Sequence, residues 1–206
     1  MSQISNAKEQ VKTGWILASI SITLTASTLF WYFGNPDSFV EKRIGYTPDV
    51  FSNMMVWLFA FFIIVGYVAY TAYAVPFVKE NLFRFSWLKV LGIWVAITTG
   101  IMEEIVFRQM LMDWMMSLEL TVVWQIIGSA VAFGLAHGTW VLLRGELKIA
   151  LPVILSTTVL GGLLAILYIV SGRSTFAPII AHVLINVAIE PWLMLSAVSG
   201  KWDKSK

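Results

Sequence analysis

Residues 87–118 read WLKVLGIWVAITTGIMEEIVFRQMLMDWMMSL, an apolar run that carries Glu103, Glu104 and Arg108 near its middle. About 20 apolar residues suffice to cross a bilayer core as a helix. A charged residue at the centre of such a helix costs roughly 2.5 to 3.5 kcal/mol on insertion scales, so three of them need partners or a function. The composition identifies lipid as the surrounding solvent. Of 206 residues, 58% are hydrophobic and 13% charged, where soluble domains carry roughly 25% charged residues. The ten Trp and thirteen Phe fit that reading, because aromatic side chains collect at bilayer surfaces as well as in apolar interiors.

Working outward from a span at 88–117, charges, Pro and Gly mark off five more apolar stretches at about 14–33, 52–75, 121–142, 149–170 and 175–198. The fold expected is therefore all-α: a polytopic transmembrane helical bundle of about six spanning helices. It forms one integral membrane domain over 1–206, with a motif-bearing core at about 88–198. The first stretch is too long for a signal peptide and ends in Trp31, Tyr32 and Phe33 rather than in a small-residue cleavage site. Lys and Arg give the orientation. Lys8, Lys12, Lys79, Arg84, Lys89, Arg144, Lys148, Lys201, Lys204 and Lys206 fall on one side, against Lys42, Arg43 and Arg173 on the other. That bias predicts that both termini are cytoplasmic.

The absence of Cys excludes a disulfide framework, a thiolate nucleophile and a cysteine-ligated metal. A net charge of +2 with no long basic run argues against a nucleic-acid partner. There is no Gly-x-Ser-x-Gly elbow, no His-Glu-x-x-His motif and no phosphate-binding loop. Nothing in the sequence sets an oligomeric state; the bilayer is the one certain partner.

The polar residues inside the apolar runs carry the functional reading. Glu104 and Arg108 are four apart and share a helix face, where an ion pair forms. Glu103 is turned away from Glu104 by about 100° and is left free to act as a general base. The two histidines lie in Phe133-Gly-Leu-Ala-His137, which closes the fourth run, and in His182-Val-Leu-Ile-Asn186, which opens the sixth. His182 and Asn186 also share a face, and both side chains can donate hydrogen bonds, as an oxyanion-stabilising pair must. With a turn near Leu120, antiparallel helices set Glu103 level with His137. His182, only some seven residues into its run, reaches that level through helix tilt or a protruding third–fourth hairpin.

Taken singly, a buried Glu-Arg pair reads as a structural clamp and a buried His as a satisfied core residue; their joint spacing favours chemistry. Other polar residues read as structural. Asp113 is expected near the outer interface, Arg84 and Lys89 as cytoplasmic anchors, and Glu190 as the end of a helical segment on nearly the same face as His182.

The ordered set resembles the CAAX proteases and bacteriocin-processing enzymes, the CPBP or Abi family of glutamic intramembrane endopeptidases. The family pattern Glu-Glu-x-x-x-Arg is matched by Glu103, Glu104 and Arg108. Phe-x-x-x-His is matched by Phe133 and His137, and His-x-x-x-Asn by His182 and Asn186. The resemblance implies that Glu103, with His137, activates a water for attack on a peptide carbonyl, and that His182 and Asn186 stabilise the oxyanion. Glu104 and Arg108 would hold Glu103, with Phe133 in support. It further implies a short prokaryotic form in the cell membrane, without cofactor or metal, and a peptide or membrane-protein substrate rather than a prenylated one. Two rival readings use the same residues: a zinc peptidase with His137, His182 and a Glu as ligands, and a non-catalytic peptide-binding or bacteriocin-immunity protein.

Overall fold

The computed structural model describes residues 7–139 and 147–202. Arg144, Lys204, Lys206 and the side chain of Lys148, all part of the charge count, lie outside the described residues, as does the end of the 121–142 stretch. Among the described residues the regular structure is all helical. The long elements are α1 (Ala7–Gly34), α2 (Met54–Ala74), α3 (Trp87–Ser117), α4 (Val122–Thr139), α5 (Leu147–Val170), α6 (Phe176–Ile189) and α7 (Trp192–Ser199). Among the described residues, five helices are long and apolar enough to cross a membrane, or six when the pair α6–α7, bent by 49°, is counted as one span. The protein is a multi-pass membrane protein. The stretch at 175–198 is interrupted at Glu190, the expected end of a helical segment, because Pro191 cannot supply the N–H that would continue α6.

Helix starts follow local capping. Asn53 accepts from the backbone of Met55 and Val56 ahead of α2, and Ser86 accepts from Lys89 ahead of α3. Several hydroxyls in the bundle turn back onto their own helices. Thr98, Thr99, Thr157 and Thr158 donate to carbonyls three or four residues earlier.

The packing that positions the site lies between α3 and α6, which run antiparallel. A Cβ on Gly100 would come within 2.5 Å of the Val183 side chain, and one on Gly92 within 2.9 Å of the Pro191 backbone. α4 and α5 meet as closely: a Cβ on Gly134 would strike the Thr158 hydroxyl at 1.9 Å.

Short connections tie the ends of the bundle. At one end the segment Phe39–Ile44, a π-helical turn, sits across the start of α6. Thr175 donates to Arg43 and Ile44 carbonyls and Ser174 to Gly45 O. Gln109 of α3 contacts both Lys42 O and Arg43 there. Asp113 is held at that end by Arg173 at 2.8 Å and by the Tyr168 hydroxyl at 3.1 Å, so it is a latch between hairpins rather than a solitary interfacial carboxylate. Since Gln109 already meets the Phe39–Ile44 segment, the tip of the α3–α4 hairpin lies beyond it. This overshoot lets His182, so near the start of α6, lie level with Glu103. At the opposite end Lys89 donates to the carbonyls of Val187, Ala188 and Glu190. It caps the open end of α6, a bond to its own bundle beyond the anchoring role expected of it. Arg84 contacts Asn81.

Candidate active site

The two adjacent glutamates of α3 point to different neighbours because the helix turns by about 100° per residue. Glu104 is fully buried. Its Oε2 lies 2.8 Å from Arg108 Nε, and its Oε1 accepts from His182 Nδ1 at 2.8 Å. Glu103, about a quarter exposed, turns its Oε2 toward two imidazoles: His137 Nε2 at 3.8 Å and His182 Nε2 at 3.9 Å. Directly after these carboxylates the helix changes to a π-helical turn over Ile105–Met110. Such turns are frequent at functional sites, and nothing in the sequence announces this one.

Each imidazole is fixed from behind. His137 Nδ1 donates to Phe133 O at 2.9 Å, as the helix of α4 tightens into a final 3-10 turn. His182 Nδ1 faces the Glu104 carboxylate. In both rings the Nε2 atom is therefore the one presented to Glu103. Phe133, fully buried, joins the three motifs: its ring lies 4.5 Å from the His137 ring, 5.6 Å from the His182 ring and 4.5 Å from the Arg108 guanidinium carbon. The Arg108 Nη atoms have no hydrogen-bond partner among the described residues, so the ring face and Glu104 are what hold this charge inside the bundle.

The sequence reading gave Glu104 and Arg108 the task of holding Glu103, whereas both Glu104 oxygens are engaged by Arg108 and His182. Asn186 lines the same cavity as His182, but its Nδ2 donates to Thr99 Oγ1 at 3.3 Å. Thr99, not singled out in the sequence, thus belongs to the polar wall; its position one turn before Glu103 on α3 is the only signal that marks it.

These groups line the inner end of a cavity of about 480 Å³ that extends toward the end of the bundle carrying the chain termini, where Ala74, Val75, Thr139 and Trp202 line it. α1, α2 and α5 contribute apolar wall through Leu17, Leu24, Tyr67 and Leu160. Glu190 lies on the wall as well. Among the described residues, no three His, Cys, Asp or Glu side chains are grouped so that they could share a metal ion.

The family described as type II CAAX prenyl endopeptidase Rce1-like matches residues 85–188, from the start of α3 to the end of α6. The chain belongs to this family. The match takes in every residue from Glu103 to Asn186 described above, so a protease family's sequence pattern coincides with the cavity's polar end. Comparison with curated proteins and with solved structures gives no match.

Proposed function

We propose that this Rce1-like chain is an intramembrane endopeptidase of the cell membrane, and that Glu103 supplies the base that activates water for attack on a peptide bond. The observation that carries the reading is the gap between Glu103 Oε2 and the two Nε2 atoms. At 3.8 and 3.9 Å it is too long for a direct hydrogen bond, and Oε2 is buried without a hydrogen-bond partner among the described residues, so a water admitted between these atoms from the cavity would serve all three. A water held there can pass its proton to Glu103 while its oxygen attacks a carbonyl carbon. His137, with Nδ1 committed to Phe133 O, orients that water.

His182 and the second Asn186 N–H stabilise the tetrahedral oxyanion. In this role His182 Nδ1 is held by Glu104 while Nε2 faces the oxyanion. Arg108 pairs with Glu104 in turn, which makes both positioning residues for His182. The proton held by Glu103 then passes to the leaving amine as the bond breaks. The substrate is a peptide or a membrane-protein segment that enters along the cavity.

Cleavage of a quenched fluorescent peptide library by detergent-purified protein tests this, with Glu103→Gln and His182→Ala beside the wild type, each with and without a chelator. Turnover abolished in both variants and indifferent to chelation is expected. Turnover lost on chelation would replace this reading with a zinc-dependent one, and Glu103→Gln retaining wild-type turnover would remove the glutamate from the chemistry.

A further inference from the structure

Glu190 follows His182 by eight residues and Asn186 by four, so the three side chains descend one face of α6 and all border the cavity. The protonatable groups of the reaction centre are at the inner end; Glu190 lies about 12 Å along the helix toward the open end, at 1.5 Å per residue. Its backbone N–H closes α6 by donating to Asn186 O at 2.8 Å, and one side-chain oxygen is engaged by the Met194 backbone. The other, Oε2, is out of contact with solvent and has no hydrogen-bond partner among the described residues. A buried carboxylate oxygen left without a donor is costly and calls for an explanation.

The local cation does not provide one. Lys89 stands opposite on α3, but an ammonium has three N–H donors, and Lys89 directs Nζ to the three carbonyls of Val187, Ala188 and Glu190. Among the described residues no Lys or Arg lines the cavity, whereas Glu103 and Glu190 both do. Lys89 is near enough for its charge to act on Glu190, yet its N–H groups are committed to carbonyls and Oε2 stays without a donor; a carboxylate so placed part-way along an apolar tunnel is complementary to a cation carried in by the ligand.

We infer that Glu190 is a specificity residue, forming a subsite for a basic side chain, Lys or Arg, of the peptide substrate. The inference rests on the cavity being a peptide site. An extended peptide advances about 3.3 Å per residue, so the roughly 6 to 12 Å that separate Glu190 from Asn186 and His182 along the helix correspond to two to four residues. The basic side chain therefore sits about one to four residues from the scissile bond, since its own length spans part of that distance.

The test measures binding, so that it stands apart from catalysis. Fluorescent peptides, each with a single Lys at one of the four positions on either side of a common apolar centre, are compared with norleucine counterparts of the same shape. Affinity is measured by anisotropy on purified full chain carrying Glu103→Gln, with and without Glu190→Gln. Expected is a Lys preference of about tenfold or more at one position, falling to near parity with Glu190→Gln and restored with Glu190→Asp. An equal affinity for Lys and norleucine at every position would overturn the subsite. So would a Lys preference that survives Glu190→Gln, or a loss of affinity that is the same for both peptide types and so reports a structural role. Failure of the wild type to cleave any peptide would count against the proposed activity and leave this comparison readable.

Discussion

Arg108 shows how a single residue ties stability to the candidate chemistry. It is fully buried, as is Glu104, and the two form a contact of 2.8 Å. Their mutual attraction offsets desolvation only while both are present; removing one partner from a buried pair typically costs about 3 to 5 kcal/mol, because an uncompensated charge is left behind. Arg108→Ala is expected to be destabilising by an amount in that range and to lower the thermal unfolding temperature in detergent well below that of the wild type. Unfolding within a degree or two of the wild type would mean that Glu104 needs no cation. At this scale the sequence was informative. A carboxylate and a guanidinium four residues apart in an apolar helix have few alternatives to pairing. What spacing did not show is the second oxygen of Glu104, because its partner His182 is 78 residues away in the chain and helical periodicity describes only one helix at a time.

At the scale of elements, the site depends on how closely α3 approaches α6. Gly92 and Gly100 lie eight residues apart on the face of α3 turned to α6, and neither has room for a side chain. Gly100→Val places two methyl groups where the Val183 side chain and backbone already are. Overpacking of this kind costs typically about 1 to 3 kcal/mol, and here it would also push His182, the residue before Val183, away from Glu103 and Glu104. Gly66 of α2 is the matched control, with nothing within 4 Å of an added Cβ, and Gly66→Ala is expected to be neutral or slightly stabilising. Unfolding temperatures of the two variants, together with peptide turnover, check the difference; Gly100→Val indistinguishable from Gly66→Ala would show that α3 and α6 have slack. The spans themselves were readable from apolar length, since nothing but a helix satisfies its own backbone in lipid. The π-helical turn after Glu104 was not, and the break between α6 and α7 was marked only by Glu190 before Pro191, read as the end of a helical segment. A run such as 175–198 is apolar on both sides of Pro191, and hydropathy alone does not distinguish a bent span from a straight one.

For the whole molecule, the open question with most consequence is which side of the membrane the cavity meets, since that decides which peptides can enter. The fold sorts the connections into two sets. Leu118 of the α3–α4 turn lies at the end where Arg43 bonds Gln109, Arg173 bonds Asp113 and Ser174 bonds Gly45 O. Phe83, almost wholly exposed, lies in the α2–α3 connection at the other end, toward which the cavity extends. The excess of Lys and Arg on that second end predicts that it faces the cytoplasm. Because the chain has no Cys, one introduced thiol gives an unambiguous signal. Leu118→Cys is expected to react with a membrane-impermeant maleimide in intact cells, whereas Phe83→Cys should react only after permeabilisation. The reverse pattern would place the cavity mouth outside, and the substrate would then be an exported peptide meeting Glu190 and Glu103 from the extracytoplasmic side. With the expected pattern, a peptide reaches Glu103 from the cytoplasm, passing Glu190 on its way, while the Phe39–Ile44 segment covers the far end of the bundle.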